Sequence, residues 1–285
     1  MIQTWDLRSM LNWLAGYLQD KCIPDARLEA ELLLAQAVGE DRLYLYTHYD
    51  KPLTAAELAQ LKSWLLRRVA GESIAAILGE KEFMGLSFRV TTDVLVPRAD
   101  TETLVIEVLA RRTDDSLRVL DIGTGSGAII GSLLHYRSHW QGVAVDLSPA
   151  ALAVAADNFA ELDVASRVTV RKSDLFQAVT GEKFDILVSN PPYIPTAAIE
   201  TLSPEVRHEP QLALDGGHDG LDVIRRLIRE AADFVVSGGL CAIEIGYEQG
   251  HAVQNMVAAD GRYTQAILCR DLGGHHRVVV WEVKL

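Results

Sequence analysis

The chain has 285 residues, 49% of them hydrophobic and 23% charged, which is enough apolar material for one large domain or two smaller ones and too much for a disordered chain. Its 27 basic residues against 39 acidic ones leave a formal charge of −12, which argues against a surface built to grip duplex DNA by its phosphates. Cys22, Cys241 and Cys269 form no Cys-x-x-Cys pair, no apolar run approaches the ~18 residues of a membrane span, and Asp6 and Arg8 interrupt any signal peptide; the expected location is cytoplasmic.

Leu7, Met10, Leu11, Leu14 and Leu18 fall on one face of a helix. Pro24 and Asp25 stand at the start of a second helix, with Gly39 placed to end it, and Thr54 with Glu57 forms a capping box for a third that closes near Gly71. Residues 1–75 therefore read as a small helical bundle in which Trp5, Trp13 and Trp64 are core fillers. Residues 76–100 read as a connector containing a β-hairpin, because the apolar period shortens around Phe83 to Val90 and Gly85 supplies a turn. From residue 101 to 285 short β-branched runs alternate with helical ones, with strands at 119–122, 142–146, 168–170, 184–188, 240–245 and 278–281. Such β-α units predict an α/β fold, a mostly parallel sheet covered on both faces with ligands at the carboxyl ends of its strands.

Two motifs carry chemistry. Asp121-Ile122-Gly123-Thr124-Gly125-Ser126-Gly127 follows the first of these strands and opens a helix, where glycines let the backbone approach a ligand. Gly123, Gly125 and Ala128 also satisfy a dinucleotide fingerprint, with Asp146 near the ribose position. Asp121 opposes a pyrophosphate and suits a cationic ammonium, as in S-adenosylmethionine, whose ribose hydroxyls Asp146 would accept. The second motif, Asn190-Pro191-Pro192-Tyr193, ends the 184–188 strand. Its prolines remove two N–H donors and stiffen the turn, so that the Asn190 side chain and the Pro191 carbonyl can accept both hydrogens of one planar NH2 group, with Tyr193 beside it.

Together with Val96-Pro97-Arg98, Thr101-Glu102, Glu205-Val206-Arg207 and Glu244-Ile245-Gly246, these motifs make the chain resemble, over nearly its whole length, the peptide chain release factor glutamine N5-methyltransferase family (PrmC/HemK-like). The resemblance implies a Rossmann-like class I S-adenosylmethionine-dependent methyltransferase sheet with a small all-α N-terminal domain that docks the release factor. It also implies methylation of the side-chain amide of the glutamine in the factor's Gly-Gly-Gln motif. By the same resemblance the cofactor lies over Gly123, Thr124, Gly125, Ser126 and Gly127, with Asp121, Asp146 and Asn190 in contact and Asp174 and Leu175 near the adenine. Asn190, Pro191, Pro192 and Tyr193 hold the acceptor amide. Phe83 either lines the acceptor pocket or staples the domains together, and Arg98, Thr101 and Glu102 either close over the cofactor or cap the next helix, where Thr101 and Glu102 suit a helix start. Departures from the family pattern are Ser73 and Ala99, where prolines are common, and Leu175, where an aromatic residue is common. The alternative is an N6-adenine methyltransferase acting on nucleic acid, whose target is also an NH2 group; the acidic charge and the lack of a basic recognition domain oppose it. The histidines have no spacing that would build a metal site, so no metal, no direct nucleic-acid partner and no membrane are expected.

Overall fold

A computed structural model describes residues 5–285. The chain divides into two units, one running up to Gly79 and including Pro204–His208, the other made of Glu80–Ser203 and Glu209–Leu285. In chain order come the helices α1 (Leu7–Asp20), α2 (Ala26–Val38), α3 (Tyr44–Thr47), α4 (Ala55–Val69) and α5 (Ile74–Leu78), then the strands β1 (Glu80–Phe83) and β2 (Leu86–Arg89). There follow α6 (Glu102–Arg111), β3 (Arg118–Ile122), α7 (Ala128–Tyr136), β4 (Gln141–Asp146), α8 (Pro149–Glu161), β5 (Val168–Lys172) and β6 (Phe184–Ser189). The last elements are α9 (Pro204–Arg207), α10 (Asp222–Ala231), β7 (Val235–Glu244), α11 (Gly250–Ala259), β8 (Ile267–Arg270) and β9 (His276–Glu282). Among the described residues, no helix is long and apolar enough to cross a membrane.

In the helical unit the α1 stripe of Leu7, Met10, Leu11, Leu14 and Leu18 is buried against Leu33 and Leu34 of α2 and Leu61 and Leu65 of α4. Two reciprocal caps start its helices. Asp6 Oδ1 accepts the Ser9 N–H at 2.7 Å, and the Thr54 N–H donates to Glu57 Oε2 at 2.6 Å while the Glu57 N–H returns to Thr54 Oγ1 at 3.2 Å. Asp25 precedes α2 in a left-handed conformation and gives no side-chain cap, whereas Gly39 ends that helix at φ +71°. Trp13 departs from the expected core role: it is 45% exposed and stacks on Tyr17 at 5.2 Å. Charges inside the bundle are paired. Arg68 reaches both oxygens of Glu29, at 2.6 and 2.9 Å, and also bonds Glu205 of α9, while Glu31 receives Arg27, Arg42 and the Tyr46 hydroxyl.

The hairpin groups with the sheet unit. Phe83 pairs with Leu86, so Met84 and Gly85 alone make the turn, at φ +54° and +70°, the geometry of a type I′ turn. Glu102 Oε1 accepts the Met84 N–H at 2.7 Å, and the Tyr136 hydroxyl donates to the Met84 carbonyl at 2.6 Å.

The large sheet runs β5-β4-β3-β6-β7-β9-β8, parallel from β5 to β7, with β9 antiparallel to both its neighbours. Successive residues turn to opposite faces. Leu120 of β3 and Leu187 of β6 enter one core with Ile224, Leu227 and Trp281, while Val119 and Val188 enter the other with Leu104, Ile130 and Phe159. From β3 the chain moves outward to β4 and β5 and then returns to β6 on the opposite side. That reversal opens a crevice at the carboxyl ends of β3 and β6.

Candidate active site

Both sequence motifs lie in that crevice, around a cavity of about 280 Å³. The glycine loop leaves β3 with Gly123, Gly125 and Gly127 all at positive φ. A Cβ added to Gly123 or Gly125 would meet no atom within 4 Å, and both glycines border the cavity. Gly127 is different. A Cβ there would stand 2.6 Å from the Phe159 ring, so this glycine permits close packing on α8, and it is not among the residues that border the cavity.

Asp121 lies beneath the loop, fully buried. Its Oδ2 accepts the Thr124 hydroxyl at 2.7 Å and its Oδ1 has no hydrogen-bond partner. Burial pushes its carboxyl up to about 7; the Thr124 bond opposes that rise and the nearby Asp146 charge adds to it. Asp146, at the end of β4, holds the loop from the side, with Oδ2 accepting the Gly125 N–H at 2.9 Å and Oδ1 the Ser148 N–H at 2.8 Å. Thr124, Ser126, Asp146, Asp174 and Leu175 all line the cavity. Asp174 is paired with Arg226 at 3.0 Å, and Leu175 takes up φ +50°, a left-handed conformation unusual for leucine.

The opposite wall carries Asn190, Pro191 and Pro192. Ser189 fastens the end of β6 to β3 by donating its hydroxyl to the Ile122 carbonyl at 2.7 Å, so the residue just before Asn190 is tied to the glycine-loop motif itself. Asn190 Nδ2 donates to Thr101 Oγ1 at 3.3 Å. Tyr193 does not line the cavity as expected. Its hydroxyl donates to Glu244 Oε1 at 3.1 Å and its carbonyl accepts from Gln249 Nε2 at 2.9 Å, which turns the ring into the wall behind the motif. Burial and the Glu244 charge raise the Tyr193 pKa far above that of a free phenol. Phe83, for which the sequence left pocket lining and a hydrophobic staple open, does not border the cavity. It is fully buried edge-on to Phe88 in the core of the sheet unit, because the two-residue turn sends it inward.

Two further groups belong to the surroundings of the site: Thr101, which the sequence left between closing over the cofactor and capping a helix, and Glu244, to which it gave no role. Thr101 lines the cavity, and although it stands where a helix cap belongs, its side chain makes no capping bond. Glu244, at the end of β7, is almost fully buried, and burial pushes its carboxyl up to about 7 against the opposing effects of Thr101, Arg277 and Tyr193. The available signal was an acid closing the apolar run Leu240 to Ile243 on the strand next to β6.

Comparison with known proteins agrees with this layout. Residues 9–79 match the family described as PrmC N-terminal domain, and residues 98–204 match the methyltransferase small domain. The chain is 45% identical over 278 residues to the release factor glutamine methyltransferase of Geobacter sulfurreducens, covering 97% of this chain and 96% of the other. The protein of the same name from Moorella thermoacetica is 45% identical over 253 residues, 88% and 89% of the two chains. Among solved structures, a methyltransferase from Pyrococcus furiosus superposes with a TM-score of 0.54 at 18% identity, over 79% of this chain and 100% of that one, which is a likeness of fold.

Proposed function

This chain belongs to the family of release factor glutamine methyltransferases, and from that premise we propose that it methylates the side-chain amide nitrogen of the glutamine in the Gly-Gly-Gln motif of bacterial peptide chain release factors. The methyl donor in this reading is S-adenosylmethionine. The observation that carries the reading is the placement of Asn190 and Pro191 across one cavity from the glycine loop, with the two strand ends bonded together through Ser189.

The residues present fit the donor. Open space stands over Gly123 and Gly125, and the Asp146 carboxylate beside the loop favours a cationic ligand over a phosphate; Asp121 lies buried beneath the loop and does not border the cavity. Asp146 spends one lone pair of each oxygen on backbone N–H groups and keeps others for ribose hydroxyls; Asp174 and Leu175 border the adenine. When bound, S-adenosylmethionine supplies an electrophilic methyl group carried on a sulfonium.

An amide nitrogen is a weak nucleophile because its lone pair is delocalised into the carbonyl. Asn190 Oδ1 and the Pro191 carbonyl accept its two hydrogens and so aim the nitrogen, while the two prolines present no competing N–H. No histidine lines the cavity, and the proton released on methyl transfer passes to water. Alignment therefore provides most of the acceleration, for which fixing two reactants in line is worth about 7–11 kcal/mol. In this reading the helical unit docks the release factor, and the three free cysteines suit a reducing cytoplasm.

The test supplies isotopically labelled S-adenosylmethionine with a release factor or with mixed DNA and RNA and locates the label by mass spectrometry. Label on the Gly-Gly-Gln glutamine, absent when that residue is changed, supports the proposal. Label on adenine instead overturns the substrate class.

A further inference from the structure

An asparagine that must accept a hydrogen bond has two faces, and a half-turn about its last bond exchanges the accepting oxygen for a donating NH2. The reaction proposed above therefore depends on what holds the far side of the Asn190 amide. In this fold that neighbour is Thr101, nearly fully buried, with Oγ1 3.3 Å from Asn190 Nδ2. Thr101 comes at the start of α6, where a threonine would ordinarily cap the helix, yet its side chain makes no capping bond and is left for the site.

A threonine hydroxyl can donate or accept, so it would not by itself choose the face of the amide. Glu244 makes the choice. It sits on β7, the strand beside the one that carries Asn190, and its ionised carboxylate can only accept. Its Oε1 accepts the Tyr193 hydroxyl at 3.1 Å, its buried Oε2 has no hydrogen-bond partner, and the Thr101 hydroxyl lies near enough to lower its pKa. A Thr101 proton turned toward that open oxygen would leave the Thr101 oxygen to accept from Asn190 Nδ2 and Asn190 Oδ1 free for the acceptor amide.

Resting on the methyl-transfer reading, we propose that Thr101 and Glu244 are positioning residues: through Thr101 the buried carboxylate fixes the Asn190 amide with its oxygen toward the acceptor NH2, and through Tyr193 it braces the other end of the same tetrapeptide. Neither residue touches the reacting atoms. Their effect is on how the amide nitrogen is aimed, so it falls on turnover and leaves cofactor binding in place.

The experiment measures steady-state methylation of a release factor at pH 8, where Glu244 is ionised, together with S-adenosylmethionine affinity by calorimetry, for the wild type, Thr101→Val, Thr101→Ser and Glu244→Gln. Thr101→Val, which keeps the shape and removes the hydroxyl, should lower kcat on the order of tenfold with cofactor Kd within about twofold. Thr101→Ser should restore most of the rate. Glu244→Gln should repeat the loss, because a carboxamide NH2 can donate to Thr101 and turn the threonine proton onto Asn190. Unchanged kcat in Thr101→Val, or a fall in kcat matched by equal losses of cofactor affinity and Tm, overturns the proposal. If Thr101→Val does not fold, Thr101→Ala is judged by the same criteria. A wild-type protein that labels no glutamine overturns the proposed function itself, an outcome distinct from a wild type that is active and a Thr101→Val variant that matches it.

Discussion

The two units differ in how far they pair their buried carboxylates: in the sheet unit Glu209 and Asp271 are paired with Arg98 and Arg277, but Asp121 and Glu244 have no arginine bond. In the helical unit each buried acid has an arginine: Arg68 grips Glu29 with two bonds, and Glu31 is held below its ordinary value because hydrogen bonds from Tyr46, Arg42 and Arg27 outweigh its burial. Asp121 and Glu244 are buried more completely, bond to the Thr124 and Tyr193 hydroxyls rather than to arginine, and are pushed up to about 7. Pairing serves a framework, whereas an underpaired buried acid costs stability and holds its proton to higher pH.

That contrast predicts substitutions with opposite signatures. Arg68→Met keeps the packing stem and strands Glu29 and Glu205, so it should destabilise the helical unit by about 3–5 kcal/mol in urea unfolding. Adding Glu29→Leu should recover part of that loss; full stability in Arg68→Met alone would remove the contrast. Asn190→Ala should do the reverse, lowering kcat on the order of a hundredfold while Tm and cofactor affinity stay near wild type. Equal losses of turnover and affinity would refute the division of labour between the two motifs.

The pH dependence of stability sharpens the comparison further. Asp121 and Glu244 keep their protons in the folded state up to about pH 7, whereas the unfolded chain releases them near 3.8 and 4.5. Their contribution is therefore fully present at acid pH and is lost as pH rises toward 7. Between about pH 5 and pH 8 the sheet unit should lose on the order of 2 kcal/mol for each carboxylate, seen as weaker hydrogen-exchange protection in β3 and β7. Glu31 has the opposite sign, since its lowered value contributes stability above 4.5 that is lost only as pH falls through the folded value. Protection in α2 should thus hold steady over the same range, and a parallel fall in both units would break the comparison. The smallest effect expected is at the adenine end of the cavity. Leu175→Phe restores an aromatic face and should tighten cofactor binding by about 0.5–1.5 kcal/mol in a calorimetric titration.

Features written in contiguous residues were legible before the structure. The α1 stripe, the Thr54–Glu57 box, the glycine loop and Asn190 to Tyr193 each need only their own stretch of chain. What escaped depends on distant partners. Gly127 looks like its two companions until Phe159 arrives against it, and Phe83 is one apolar residue among many until the turn at Met84 and Gly85 sends it inward. Strand β8 alternates too weakly to announce itself, being only partly covered at the edge of the sheet. The Asn190–Thr101 bond and the Tyr193–Glu244 bond join four residues that only the strand order brings together.

The strand order also bears on how the chain matures. β9 is synthesised after both β7 and β8, yet it lies between them and bonds to both. Until it emerges, β8 has no neighbour to pair with, and one side of β7, whose Leu240 to Ile243 are nearly all core residues, is an open apolar edge. The nascent protein thus passes through a stage in which the strand bearing Glu244 is prone to wrong pairing, and a late insertion, not sequential addition of strands, ends that exposure.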